Sequence, residues 1–259
     1  MHWYTTEGAA AHTQPTKKGA KNPFRATTIR DAKEQGLLPS ITGILSVIDN
    51  PALNRWKMGK VAEYCWNAPP IGPERLDEYV ANVLSKALDE VSDAAELGTR
   101  IHADIEAQLK GQPVPHAGPE LEMSMGAIAA VEKMGLEIAD SEVTVVSREY
   151  GYAGTTDLAV TKGELCGILD FKSTKTTPGE PITPKFGHIP QIAAYHVAYW
   201  CNGGPIKLNS VGYNVYISTT EPGRIEVIEY SMTELREAFE VFCAAAQIWR
   251  YKNAYDPRS

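Results

Sequence analysis

Asp157, Asp170 and Lys172 combine residue types and spacing that suit work on a phosphate. Two hard carboxylate oxygens converging on one point hold Mg²⁺ or Mn²⁺, and a neighbouring lysine orients a water or offsets charge developing on a phosphate. The three sit among Leu158, Val160, Leu165, Leu169 and Phe171, where burying a charge is costly unless it is paired or metal-bound. Their convergence depends on a hairpin. With a two-residue turn at Lys162-Gly163, Asp157 faces Ile168, and Ile168, Asp170 and Lys172 share a face because strand side chains alternate. A symmetric loop of even length centred there keeps this result, whereas a bulge breaks it. A salt bridge at a sheet end is the alternative without chemistry.

His102 closes the run Glu96-Leu97-Gly98-Thr99-Arg100-Ile101-His102, on a helix whose apolar face is Leu97, Ile101, Ile105 and Leu109. It lies beside that face, and Gly98 one turn earlier leaves space over it. Taken alone it reads more readily as an interface histidine than as a ligand. Gln191 and Tyr195 stand four apart on a later helix and project together. Both can donate to phosphate oxygens, and the tyrosine ring can stack on a base; a polar shoulder on a packing helix is the other reading.

A definite order of elements must position these side chains. Asp49 or Asn50 caps a helix with Pro51 in its first turn and Leu53, Trp56, Val61, Tyr64 and Cys65 along one side, ended by Pro69, Pro70 and Pro73. Leu76, Val80, Val83, Leu84, Ala87, Leu88 and Val91 follow the helical period, and Leu97 to Leu109 repeat it before Gly111. A further helix spans 119–134. The period then changes to two over 142–147, 152–161 and 164–173. A helix at 189–200, strands at 210–217 and 224–230, and a final helix to 251 follow, the last opened by a Ser231/Glu234 capping box. That order gives an α/β (α+β) fold with a mixed central sheet flanked by helices and a helical N-terminal part.

The 259 residues, 43% hydrophobic and 22% charged, are ordinary globular usage. At this length a core needs no metal or disulfide staple, so a metal would be functional. The longest uncharged stretch, 186–206, contains two histidines, two prolines and three glycines, which excludes a membrane span. With no secretory h-region near the N-terminus, the expected location is cytoplasmic, in a bacterial or phage-infected cell. Cys65, Cys166, Cys201 and Cys243 form no CxxC pair and read as buried free thiols. The net charge of −7 is unfavourable for gripping phosphate, but Lys17, Lys18, Lys21, Arg25, Arg30 and Lys33 stand against Asp31 alone between positions 15 and 33. Residues 1–25 read as a flexible basic arm.

Four segments carry a family resemblance: Gly98-Thr99-Arg100-Ile101-His102, Gly151-Tyr152-Ala153-Gly154-Thr155-Thr156-Asp157, Ile168-Leu169-Asp170-Phe171-Lys172-Ser173-Thr174, and Gln191 with Tyr195. In this order they resemble RecB-type nucleases of the PD-(D/E)XK superfamily, over about residues 97–200. The stretch from Ser40-Ile41-Thr42-Gly43-Ile44-Leu45 to Trp56 and Lys57 is similar to the start of phage exonucleases and of the mitochondrial genome maintenance exonuclease group. The resemblance implies a restriction-endonuclease-like core at 136–259 and a helical part at 26–135 contributing His102, the two forming one compact unit. It implies one or two Mg²⁺ or Mn²⁺ ions held by His102, Asp157, Asp170 and the Phe171 backbone carbonyl, with Lys172 positioning or activating water. Gln191, Tyr195 and Ser173 would hold DNA phosphates, and Glu142 is a further member of the set. Thr156 replaces the proline of the family's name. Related nucleases carry four cluster-binding cysteines, but Cys201 and Cys243 stand 42 positions apart, so no iron–sulfur cluster is expected.

The expected activity is that of a metal-dependent DNA exonuclease acting from free ends of single-stranded DNA in recombination, repair or replication. DNA is the expected partner, and a helicase or single-strand annealing protein is a candidate second one that the sequence does not decide. The alternatives are a structure-specific endonuclease of the same fold and an inactive DNA-binding protein. A non-haem iron reading of His102-Ala103-Asp104 fails on a helix, where the two side chains point about 200° apart.

Overall fold

The computed structural model describes residues 1–17, 19–48, 50–69, 75–87 and 89–258. Lys18, Asp49, Pro70, Pro73, Leu88 and the side chain of Val91 lie outside the description. The chain runs β1 (Trp3–Tyr4), β2 (Thr13–Pro15), β3 (Phe24–Ala26), α1 (Ile29–Gln35), β4 (Leu38–Pro39), α2 (Ile41–Leu45), α3 (Pro51–Asn67), α4 (Leu76–Lys86), α5 (Asp89–Leu109) and α6 (Pro119–Met134). It continues through β5 (Glu137–Ser147), β6 (Tyr152–Lys162), β7 (Leu165–Thr174), α7 (His188–Tyr199), β8 (Ser210–Ser218), β9 (Ile225–Tyr230) and α8 (Met232–Asn253).

The α+β architecture is centred on a mixed five-stranded sheet in the order β5-β6-β7-β8-β9. Only β7 and β8 are parallel, joined through α7. Ile101, Ile105, Met123 and Ala127 from α5 and α6 pack on Leu158, Val160, Leu169 and Phe171 of one face. Ile192 and Val197 of α7, with Phe242 and Trp249 of α8, cover Ala159 and Ile168 on the other. No helix among the described residues is long and apolar enough to cross a membrane.

The β6–β7 turn falls at Gly163-Glu164, one residue later than the sequence predicts, with Lys162 paired to Leu165. Gly163 adopts φ +59°, and the first loop position of the tight hairpin turns requires that left-handed backbone, which Lys162 adopts at a cost. The pairing slides by two residues, so parity and face survive, and Asp157 comes level with Asp170 instead of Ile168. Pairing between β6 and β7 ends at Leu158–Leu169. Yet β6 stays on β5 as far as Tyr152, and β7 stays on β8 as far as Thr174. The sheet therefore opens at Asp157 and Asp170.

Within the segment read as an arm, the described residues form β1 to β3 and bury Trp3. Trp3 is 1% exposed and packs edge-on against Trp249 at 6.0 Å, while β1 pairs with β4 and β2 with β3. One large apolar ring gives this polar segment enough buried area to order it. The basic run is also partly neutralised, since Arg25 grips Asp31 through two bonds of 2.6 and 2.7 Å and Arg30 pairs with Glu34 at 3.0 Å. Two short helices escape the periodicity argument, although α1 has a Thr28/Asp31 capping box and α2 is capped by Ser40. Asn50 caps α3 through Leu53 N. The periodic run from Leu76 breaks after Lys86, and α5 begins at Asp89. The four cysteines are unpaired and half-buried, less enclosed than expected.

Candidate metal centre at the sheet opening

Glu142 stands level with Asp157 on β5, because the ladder passes from Ser141–Leu158 to Val143–Thr156. Its backbone has φ +49°, a left-handed conformation costing on the order of 1–2 kcal/mol in a residue with a Cβ. Face alternation along β6 slips by one across the same level: Ala159 and Tyr152 differ in parity, yet both join the α7–α8 layer. The slip sets the Asp157 carboxylate at the junction of the two layers, within reach of a helix on the opposite face. That helix is α5. His102 Nδ1 lies 3.5 Å from Asp157 Oδ1, and its ring stands edge-on to Phe171 at 6.3 Å. Asp157 Oδ2 accepts from the Phe171 N–H at 2.7 Å, on the edge where β7 has left β6. The Phe171 carbonyl faces the same side, since both polar groups of a strand residue point one way.

One donor atom each from His102, Glu142 and Asp157 lies within 4.8 Å of the other two. Glu142, the least certain member from sequence, thus belongs to the tightest group. Asp170 stands beside it. Its Oδ2 accepts from Lys172 Nζ at 2.5 Å and from Asn214 Nδ2 at 3.3 Å, and its Oδ1 from Gln191 Nε2 at 3.4 Å. Lys172 Nζ also donates to Gln191 Oε1 at 3.1 Å, so Gln191 ties lysine to carboxylate.

Burial and the neighbouring charges of Asp157 and Glu106 push the Glu142 carboxyl up to about 7. Burial likewise raises Asp170, against the pull of Lys172. Burial opposes ionisation of Asp157 too, but the hydrogen bond and charge of His102 outweigh it and its pKa falls below the usual carboxylate range. Burial lowers the His102 imidazole, and the hydrogen bond and charge of Asp157 with the charge of Asp170 reverse this, leaving it above its ordinary value. Three carboxylates around one lysine and one imidazole carry an excess of negative charge. A divalent cation held by oxygen and imidazole donors relieves that excess, so the donor set fits Mg²⁺ or Mn²⁺.

Gln191 and Tyr195 do project together, with Gln191 Nε2 donating to Tyr195 OH at 3.2 Å. Tyr195 is 4% exposed and packs against Gly154 and Ile41, which leaves no open face for a base. Ser173 lies on the opposite face, with its Oγ only 2.8 Å from where a Cβ on Gly98 would stand. The space that Gly98 leaves is therefore filled by Ser173, and it lets α5 approach β7. Ser173 also lines a cleft of about 360 Å³ with Leu97, Arg100, Thr174, Lys175 and Thr220. Asp104 is turned away from His102 and bonded to His116 Nδ1 at 2.7 Å. Sequence reasoning missed Asn214, whose signal was one amide inside the otherwise apolar run of β8.

No protein-family description and no curated protein matches the chain. Among solved structures it is similar to a protein from Eubacterium rectale named provisionally as an exonuclease, with 18% identity and a TM-score of 0.43 over 62% of this chain and 68% of that one. It is also similar to SSO0001, with 16% identity and a TM-score of 0.31 over 75% of this chain and 86% of that one. Both likenesses are too distant to bear on function.

Proposed function

We propose that the chain is a divalent-metal-dependent DNA exonuclease. The observation that carries this reading is the meeting of His102, Glu142 and Asp157 donors within 4.8 Å, beside the Asp170–Lys172 pair, where the sheet opens. His102, Glu142 and Asp157 would hold the ion, with Asp170 and the Phe171 carbonyl alongside. A bound Mg²⁺ or Mn²⁺ supplies Lewis-acid polarisation of a phosphoryl oxygen and neutralises charge on the transferring phosphate.

The chain's own groups do the rest. Gln191 and Asp170 fix Lys172, whose ammonium offers its remaining donor to a water or to a phosphate oxygen. Before an ion enters, Asp157 orients the His102 ring through the Nδ1 contact. Ser173 contributes a donor to the phosphate, while Gln191, whose two amide hydrogens go to Asp170 and Tyr195, acts by holding Lys172 and is itself held by Tyr195. The proposed approach for DNA is helix α3, which carries Arg55, Lys57 and Lys60 with Trp56 41% and Trp66 87% exposed. Cations and open rings of this kind suit unpaired bases on a phosphate backbone. A strand entering from a free end past this helix would need no opening of a ring.

Digestion of end-labelled linear single-stranded, linear double-stranded and closed circular single-stranded DNA with Mg²⁺, Mn²⁺ or EDTA tests the reading. Linear single strands should shorten from an end with either metal, and the circle should persist. Rapid cutting of the circle would replace exonuclease by endonuclease, and no cutting with any metal would end the nuclease reading.

A further inference from the structure

The strand β8 is buried along its whole length, and Asn214 in its middle is 0% exposed. A primary amide in such a place costs a few kcal/mol unless both of its ends are bonded. Both are. Nδ2 donates to the Asp170 backbone carbonyl at 3.2 Å and to Asp170 Oδ2 at 3.3 Å, and Oδ1 accepts from Tyr230 OH at 3.0 Å. Asn214 is the register partner of Asp170 on the parallel strand, so the amide reaches directly across to it.

The partners fix which way the amide points. Turned over, its oxygen would face two acceptors on Asp170. The Tyr230 hydroxyl also meets that of Tyr216, which lies 2.7 Å from His188 Nδ1. From Tyr230 through Asn214 the donors run in one direction and end on Asp170. One amide spanning both the carbonyl and the carboxylate of a single residue locks that residue's side-chain torsion to its backbone. Lys172 and Gln191 occupy two further acceptor positions. A carboxylate has about four such positions, so one, on Oδ1, is left over.

We propose that Asn214, oriented by Tyr230, is a positioning residue that holds the Asp170 carboxylate for divalent-metal binding, an inference that rests on the nuclease reading of the same site. Partners of this kind around metal-ligating carboxylates typically control affinity or activity by about 10–100-fold. Tyr216 and His188 extend the chain but touch neither Asp170 nor its amide.

The test uses full-length wild type, Asn214→Ala and Tyr230→Phe, with Mn²⁺ affinity measured by electron paramagnetic resonance without DNA, and with kcat, KM and DNA affinity measured separately. Asn214→Ala should lose about 10–100-fold in Mn²⁺ affinity and kcat, while DNA affinity and the far-ultraviolet dichroism stay unchanged. Tyr230→Phe keeps the ring volume and should show a smaller loss in the same two quantities. A folded Asn214→Ala protein with wild-type Mn²⁺ affinity overturns the proposal. If Asn214→Ala does not fold, Tyr230→Phe decides, and an undiminished Mn²⁺ affinity overturns it. If the wild type cleaves no DNA, the nuclease reading fails on its own and the Mn²⁺ affinities still decide this one.

Discussion

Two charged clusters sit near the same end of the sheet, and their electrostatics run in opposite directions. Around Arg224, between β8 and β9, the guanidinium donates to Glu221 at 2.5 Å, to Glu226 and to the carbonyls of Thr177 and Glu180. Thr176 donates to Glu221 and is the chief cause holding that carboxyl below its ordinary range, and the Arg224 bond does the same for Glu226. Every group there is made more comfortable in its charged form. At the sheet opening the burial of Glu142 and Asp170 raises both carboxyls. The first cluster is a completed clamp that fastens the β8–β9 turn to the segment after β7. The second is short of positive charge, and this shortage distinguishes a cation site from an ion-pair network.

The largest expected effect follows from removing the unsaturated cluster's chemistry. Asp170→Ala or Lys172→Ala should lower DNA hydrolysis by roughly 10³-fold or more, given that metal and charge stabilisation contribute several kcal/mol and each 1.36 kcal/mol is about tenfold. DNA affinity should change far less, because phosphate contacts dominate it. Wild-type turnover in a gel assay of either variant would erase the distinction between the clusters.

The pH dependence should be next in size. Glu142 titrates near 7, so below that pH a proton competes with the ion, and Mn²⁺ affinity measured by calorimetry should rise about tenfold from pH 6 to pH 8. Glu142→Gln should reduce that rise and weaken binding, leaving the slope from His102 and Asp170. The sign for metal-free stability is the reverse. A carboxyl with a raised folded-state pKa favours folding most below the ordinary carboxylate range and loses that contribution as pH climbs through about 7. An unaltered slope in Glu142→Gln would remove this residue from the metal set.

Arg224→Ala should act on the clamp alone, lowering the thermal midpoint while leaving kcat per folded molecule at the wild-type value. A parallel fall in kcat would show that the two clusters are coupled. The smallest effect belongs to Thr156. Its buried Oγ1 finds no hydrogen-bond partner among the described residues. Thr156→Val removes an unsatisfied hydroxyl at constant shape, so the midpoint should stay or rise slightly in calorimetry.

Legibility from sequence followed the strength of local signals. The alternation of β6 and β7 placed Asp157, Asp170 and Lys172 together despite a misplaced turn, because a slide of two residues preserves parity. Glu142 was harder to place, since a positive φ in a glutamate leaves no mark in composition. Asn214 looked like one polar residue in an apolar strand, and its meaning depends on a register across a parallel pair that only the crossover through α7 creates. The helix α3 forms as the spacing predicts, but its apolar side is packed only in part, with Val61, Tyr64 and Cys65 half-buried. Leu53, Trp56 and Met58 are all exposed, because at 100° per residue its apolar side chains spread around more than half of the circumference. The order of Trp3 and β1 depends on contact with Trp249 at the far end of the chain, which no local pattern encodes.

The central claim is that His102, Glu142 and Asp157 hold one divalent ion where β6 leaves β7. Anomalous diffraction from crystals soaked in Mn²⁺ tests it most directly, because the peak locates the ion without reference to activity. The prediction is a peak about 2.0–2.3 Å from His102 Nδ1 and from one carboxylate oxygen of each of Glu142 and Asp157, lost in Asp157→Ala. Crystals that take up Mn²⁺ elsewhere and show no density between these three side chains would contradict the account.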